Sequence, residues 1–166
     1  MFKRVLIANR GEIALRISRA LRELGVEVCI VHGREDRLSL PVRFSDYAIP
    51  IYRTNPLDSY LDFEAVIQAA KDVCAEAIHP GYGFLAENAN FVRRCEEEGI
   101  TFIGPSANVI SLLGDKIEAR KAMEAAGLPV ARGSDEAIDD PNVARQLAED
   151  IGYPVIIKAA AGGGGI

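Results

Sequence analysis

Between Lys3 and Val31 the apolar pattern changes period twice, and this restricts the fold more than any other feature of the chain. Lys3 to Ala8 closes on the contiguous apolar run Val5-Leu6-Ile7-Ala8, which reads as a buried strand. From Glu12 to Leu24 the apolar positions are Ile13, Ala14, Ile17, Leu21 and Leu24. That is helical spacing with one buried stripe, and Glu12, Arg16, Arg19 and Glu23 fall on the opposite face. Gly25 suits a left-handed helix cap, and Val26 to Val31 is a second buried strand. A strand, a helix and a strand in so short a span make a right-handed βαβ unit in a parallel sheet. The fold class is therefore α/β.

The first turn limits what such a unit can bind. Asn9-Arg10-Gly11-Glu12 has one glycine where a dinucleotide fingerprint needs three, and His32-Gly33 stands where an acidic residue would end the second strand. The fold is expected to be Rossmann-like without the dinucleotide.

Further along, Gly33 to Tyr47 is charged and irregular, with Arg34, Asp36, Arg37, Arg43 and Asp46 expected at the surface. Ala48 to Tyr52 reads as a short strand, Asn55-Pro56 as a turn, and Asp62 to Cys74 as a helix with Phe63, Val66, Ile67, Ala70 and Val73 inward. The strand Glu76 to His79 empties into Pro80-Gly81-Tyr82-Gly83-Phe84-Leu85. A helix from Ala86 to Glu98, capped by Gly99, and a strand from Ile100 to Ile103 follow. Open α/β sheets place ligands at the carboxyl ends of their strands, which makes His79, Tyr82 and Glu87 site candidates. A packed turn with Tyr82 and Phe84 as core cover is the commoner use of such residues.

After Gly104-Pro105-Ser106 the regular alternation stops, and a domain boundary is placed near Leu113 to Asp115. Ser106 starts a short helix that ends at Gly114. Asp115 can cap a helix from Lys116 to Ala126, closed by Gly127. Lys116 is unusual there, because a cation in the first turn opposes the helix dipole. A phosphate within its reach would explain it, and so would chance. Pro141 to Ile151 is a further helix, with Val143, Ala144, Leu147 and Ile151 facing in.

The last stretch joins an apolar strand, Val155 to Ala159, to Gly162-Gly163-Gly164-Gly165. Consecutive glycines weaken any packed element but let backbone N–H groups approach an anion such as a phosphate chain, with Lys158 as the accompanying cation. A flexible linker is the alternative. The net charge of −5 at pH 7 argues against a nucleic-acid surface, and no apolar run is long enough to span a membrane. Cys29, Cys74 and Cys95 are isolated, without metal-ligand spacing, and are read as buried inert thiols in a reducing cytoplasm.

Several motifs agree with one another. Val5-Leu6-Ile7-Ala8-Asn9-Arg10-Gly11-Glu12-Ile13-Ala14 opens the chain, and Ala77-Ile78-His79-Pro80-Gly81-Tyr82-Gly83-Phe84-Leu85-Ala86-Glu87-Asn88 sits in its middle. Phe102-Ile103-Gly104-Pro105, Gly114-Asp115-Lys116 and Gly152-Tyr153-Pro154-Val155-Ile156-Ile157-Lys158-Ala159 follow. In this order and spacing they resemble the amino-terminal part of biotin carboxylase, the component shared by acetyl-CoA, propionyl-CoA, methylcrotonyl-CoA and pyruvate carboxylases.

The resemblance implies a Rossmann-like pre-ATP-grasp domain with a parallel sheet over residues 1–113. Residues 114–166 would be the start of an ATP-grasp domain, truncated in the glycine loop. It implies that Lys116 and Lys158 contact ATP. Gly162 and Gly163 would belong to the loop that closes over the phosphates, with Gly164 and Gly165 nearest to the nucleotide. Tyr82 and Glu87 would line the biotin and bicarbonate side. The implied ligands are ATP, Mg2+, bicarbonate and biotin on a carrier. The implied partners are a biotin carboxyl carrier protein or domain, a carboxyltransferase component and a second copy of the chain. The metal-binding and catalytic residues of the family lie beyond Ile166, so the chain alone is expected to be inactive, with Val155 to Ala159 an unpaired edge. The rivals are another ATP-grasp ligase, such as carbamoyl phosphate synthetase, and a non-catalytic dimerisation fragment using Arg16, Arg19 and Glu23.

Overall fold

The computed structural model of the chain describes residues 1–134 and 136–158. In chain order its elements are β1 (Arg4–Ile7), α1 (Gly11–Glu23), β2 (Glu27–His32), α2 (Leu40–Phe44), β3 (Tyr47–Pro50), α3 (Asp58–Leu61) and α4 (Phe63–Asp72). They continue with β4 (Ala77–His79), α5 (Ala89–Glu97), β5 (Thr101–Phe102), α6 (Ala107–Gly114), α7 (Lys116–Ala125) and α8 (Pro141–Ile151). The chain divides into two compact units, Met1–Ala107 and Asn108–Ile166.

The first unit is built on a parallel sheet in the order β3-β2-β1-β4-β5. Successive strand residues point to opposite faces, so the buried runs of β1 and β2 feed two cores. Val5, Ile7, Val28 and Ile30 pack with Ala14, Ile17 and Leu21 of α1 on one face. Leu6, Ala8, Cys29 and Val31 pack with Val66, Ile67 and Ala70 of α4 and with Phe91 and Cys95 of α5 on the other. Both faces are thus covered, which is why these strands read as continuous apolar runs rather than as alternating ones. Gly25, with φ of 71°, turns the chain from α1 into β2. Asp62 caps α4 by accepting the Ala65 N–H at 3.0 Å. Arg94 bonds Glu64 across the α4–α5 contact and Glu98 in its own last turn, and Lys71 of α4 bonds Glu98 at 2.7 Å. Glu98 is therefore paired with two cations.

Other details depart from the sequence reading for local reasons. The stretch expected to be irregular contains α2, and α3 follows the Asn55-Pro56 turn. Both helices are too short to show a period. Asp46 is exposed, as expected, and Asp36 is half-buried; both are engaged, Asp46 accepting from the Val28 N–H at 2.8 Å and Asp36 pairing with Arg10. Helix α5 begins at Ala89 rather than Ala86, because Asn88 is extended and its side chain caps the Phe91 N–H at 3.0 Å. Cys29 and Cys95 are buried, and burial pushes both thiols up to about 12. Cys74 is exposed, left out of the core by a positive φ of 52° just after α4.

In the second unit Asp115 caps α7 by accepting from Ile117 N–H at 2.9 Å and Glu118 N–H at 3.1 Å. Asp140 caps α8, accepting from Asn142 N–H at 2.8 Å, and Pro141 occupies the first turn. No described residue of this unit is fully buried. Ala144, Leu147 and Ile151 of α8 are half-buried, and Val143, expected to face in, is exposed. Val155 to Lys158 form no strand among the described residues, since no second strand is hydrogen-bonded to them, and Ile157 is 91% exposed. Residue 159 and the glycines of the loop lie outside the described residues.

The two units should therefore respond differently to lost side chains. Phe91→Ala is expected to destabilise the first unit by about 3–5 kcal/mol, and Val143→Ala to change stability by less than about 0.5 kcal/mol. Urea unfolding followed by circular dichroism measures both, and a comparable loss from the two would contradict this placement of the core.

Candidate functional site

Strand order reverses between β1 and β4, so the carboxyl ends of these two strands define the position where an open α/β sheet takes its ligand. Asn9 follows β1 there and is 2% exposed. Its side-chain Nδ2 donates to the Pro80 carbonyl at 2.7 Å and to the Tyr82 carbonyl at 2.8 Å, and its Oδ1 accepts the Arg10 N–H at 2.8 Å. One carboxamide therefore uses both its donor hydrogens on a loop more than 70 residues away in sequence. The Ala8 N–H donates to the His79 carbonyl at 3.0 Å just beside it.

The loop from Pro80 to Leu85 is shaped by this contact. Gly81 has φ of 66°, and a Cβ there would lie 2.8 Å from Asn9 Nδ2 and 3.2 Å from Ile13 Cγ1. Backbone conformation and close approach both require glycine at this point. Gly83 and Phe84 also have positive φ, and the Phe84 ring packs on Tyr60 with centroids 5.3 Å apart. Leu85 is buried in the core, whereas Tyr82 is 61% exposed. The Tyr82 hydroxyl donates to Glu12 Oε1 in the first turn of α1, and this bond raises the phenol above its usual range. The Asn9 clamp lies at the switch point between β1 and β4.

Titratable groups support this loop and the neighbouring turns. His79 is half-buried, and burial holds its imidazole below the usual histidine range. Its Nδ1 accepts the Gly81 N–H at 3.1 Å, so the ring hydrogen sits on Nε2. Beyond β2, Asp36 accepts from Arg10 at 2.7 Å and 2.9 Å and from the Tyr60 hydroxyl at 2.7 Å. The Arg10 bonds hold the Asp36 carboxyl below the usual carboxylate range, and burial pushes the Tyr60 phenol up to about 12. Tyr60 Oη also accepts the Gly33 N–H at 3.0 Å. This network ties the turns after β1 and β2 together.

The residues singled out in the sequence fall in both units. Tyr82 and Glu87 are exposed in the first, with Glu87 in the link between the loop and α5 rather than inside the helix. Lys116 is half-buried at the first position of α7, and Lys158 is exposed. Gly162, Gly163, Gly164 and Gly165 lie outside the described residues. The sequence does not mark Asn9 or Glu12 as site residues: one reads as a turn residue and the other as part of a solvent face. A polar side chain at the carboxyl end of a buried parallel strand is the signal that points to Asn9. Among the described residues, no group of three or more His, Cys, Asp or Glu could hold a metal ion. No helix is long and apolar enough to cross a membrane among those same residues.

The depressed His79 sets a pH dependence. The folded chain binds a proton on this ring less readily than the unfolded chain, whose ordinary pKa is about 6.5, so its contribution is full above that pH and declines as pH falls. His79→Asn, whose Oδ1 can still accept the Gly81 N–H, should lose less stability than the parent between pH 7.5 and 5.5 in urea titrations. Equal losses would contradict the assignment.

Residues 1–110 match the family model described as biotin carboxylase, N-terminal domain, and residues 115–166 match carbamoyl-phosphate synthase L chain, ATP binding domain. Biotin carboxylase 2 of Bacillus subtilis is 50% identical over 166 residues, covering 100% of this chain and 37% of the relative. The 2-oxoglutarate carboxylase small subunit of Hydrogenobacter thermophilus is 52% identical over 99% of this chain and 35% of its own length. The crystal structure of the biotin carboxylase domain dimer of the Hydrogenobacter thermophilus 2-oxoglutarate carboxylase, with MgADP, ADP and bicarbonate, superposes with a TM-score of 0.93 at 51% identity. It is covered to 36% by this chain, of which 99% is matched. The chain thus spans little more than a third of the length of the curated relatives it matches. On the family match across most of its length, and on a sheet and loops that agree with it, the chain belongs to the biotin carboxylase N-terminal domain family.

Proposed function

We propose that this chain supplies the amino-terminal third of a biotin carboxylase, a ligase that uses ATP and bicarbonate to carboxylate biotin held on a carrier. The observation that carries this is identity of about half, over essentially the whole chain, with biotin carboxylases and related carboxylase components. In this reading residues 1–113 form the pre-ATP-grasp domain and 114–166 open the ATP-grasp domain. A biotin carboxyl carrier protein or domain, a carboxyltransferase component and a second copy of the enzyme are its partners, in the cytoplasm. Arg16, Arg19 and Glu23 on the outer face of α1 are exposed and without an ion pair among the described residues, which suits a contact between copies.

Bicarbonate attacks the γ-phosphate of ATP to give carboxyphosphate and ADP. Carboxyphosphate breaks down to phosphate and CO2, which the ureido nitrogen of biotin takes up with loss of its proton. Phosphoryl transfer of this kind is catalysed by placing cations and backbone N–H groups around the charge spread over the phosphate oxygens. Lys116 and Lys158 are the cations assigned to ATP, and Gly162 to Gly165 the backbone donors, with Gly164 and Gly165 nearest the phosphates. Tyr82 and Glu87 are assigned to the biotin and bicarbonate side. Magnesium belongs with the nucleotide in this reaction, but the described residues offer no group to hold it. The match to a carbamoyl-phosphate synthase ATP-binding domain supports the nucleotide assignment for the second unit.

The test is phosphate release that depends on both bicarbonate and biotin, measured on the whole enzyme carrying this chain. Lys158→Gln should raise KM for ATP by about tenfold, as loss of one charge-assisted phosphate contact allows, with Lys158→Arg less affected. Unchanged KM for ATP in Lys158→Gln would remove that residue from the site. Phosphate release indifferent to biotin would refute the function.

A further inference from the structure

We propose that Glu12 is a positioning residue: its carboxylate, on the first turn of α1, holds the exposed Tyr82 ring in the orientation in which it meets biotin. This rests on the reading that the loop from Pro80 to Leu85 faces the biotin side. The backbone of that loop is fixed by other groups. Asn9 holds two of its carbonyls, His79 Nδ1 holds the Gly81 N–H, and the Ala86 N–H closes a turn on the Gly83 carbonyl at 2.8 Å. Leu85 is buried and the Phe84 ring is packed on Tyr60. Tyr82 alone among these side chains is turned out of the core, 61% exposed.

What remains free is therefore the direction of one aromatic ring. Its hydroxyl has a single hydrogen-bond partner among the described residues, the Glu12 carboxylate. Glu12 reaches it from a helix whose buried contacts, through Ala14, Ile17 and Leu21, are anchored in the sheet. A ring already held in one rotamer spares the ligand the ordering cost of fixing it on binding. The bond joins two side chains of the first unit and orients the ring rather than taking part in phosphoryl transfer. Its loss should therefore fall on affinity for biotin and not on affinity for ATP. Glu12 is exposed, so its substitution does not threaten the core.

The experiment measures biotin-dependent phosphate release by the whole enzyme with free biotin as acceptor. Glu12→Ala should raise KM for biotin roughly fivefold, in line with the net worth of one ordinary hydrogen bond at an exposed site, and leave KM for ATP unchanged. Glu12→Gln, whose amide oxygen accepts the same bond, should recover most of the loss. Tyr82→Phe should match Glu12→Ala, and the double variant should be no worse than either single one, as expected for two ends of one contact. If Tyr82→Ala raises KM for biotin while Glu12→Ala does not, the positioning role is overturned and the loop assignment stands. If Tyr82→Ala leaves KM for biotin unchanged, the loop assignment fails as well. Parallel losses in KM for ATP and for biotin in Glu12→Ala would mark a merely structural residue and also overturn the proposal.

Discussion

The carboxamide of Asn9 is the contact on which the first unit's candidate site depends. It is buried, and a buried amide must find partners for both its donors and its acceptor. Two carbonyls of the loop after β4 and the Arg10 N–H meet that demand. Were the loop to leave, the amide hydrogens would be stranded next to the apolar ends of the strands. The same geometry explains why position 81 must be glycine, since a methyl group there would collide with the amide it serves. The motif around Asn9 and the motif around Tyr82, far apart in sequence, are in this sense one structural feature.

That feature divides labour between rigid backbone and projecting side chain. The sheet, covered on both faces, fixes the strand ends. The strand ends fix the loop, and the loop turns one aromatic ring outward. The Arg10–Asp36–Tyr60 network does the same for the neighbouring turns, with Tyr60 serving as both a buried packing surface and a hydrogen-bonding post. Sites held on rigid elements in this way place a contact group more accurately than a free loop does.

Much of the fold is legible because its signals are local and repeated. Two contiguous apolar runs flanking a helical stripe define β1, α1 and β2 with nothing but periodicity, and Asp62, Asp115 and Pro141 mark helix starts by ordinary capping chemistry. What is not legible involves partners distant in the chain or elements too short to repeat. Helices α2 and α3 carry no full period. Cys74 reads as buried from its apolar neighbours, but a single positive φ turns it out. Val143 fits an inward stripe, yet it is 53% exposed. The site shows the same limit. The sequence points to Tyr82 through the rule that ligands gather at carboxyl ends of parallel strands. The residues that hold the loop and the ring, Asn9 and Glu12, are visible only once β1 and β4 lie side by side.

The most direct test of this account is native-state amide exchange in Asn9→Asp, which keeps the acceptor for the Arg10 N–H and removes both donors to the loop. The Gly81 and Ala86 amides should exchange at least about tenfold faster than in the parent, beyond any change at Ile30 in the sheet, as expected for a local opening released by losing hydrogen bonds to two carbonyls. Protection at Gly81 and Ala86 that stays level with Ile30 would show that the loop keeps its shape without Asn9, and would contradict the account.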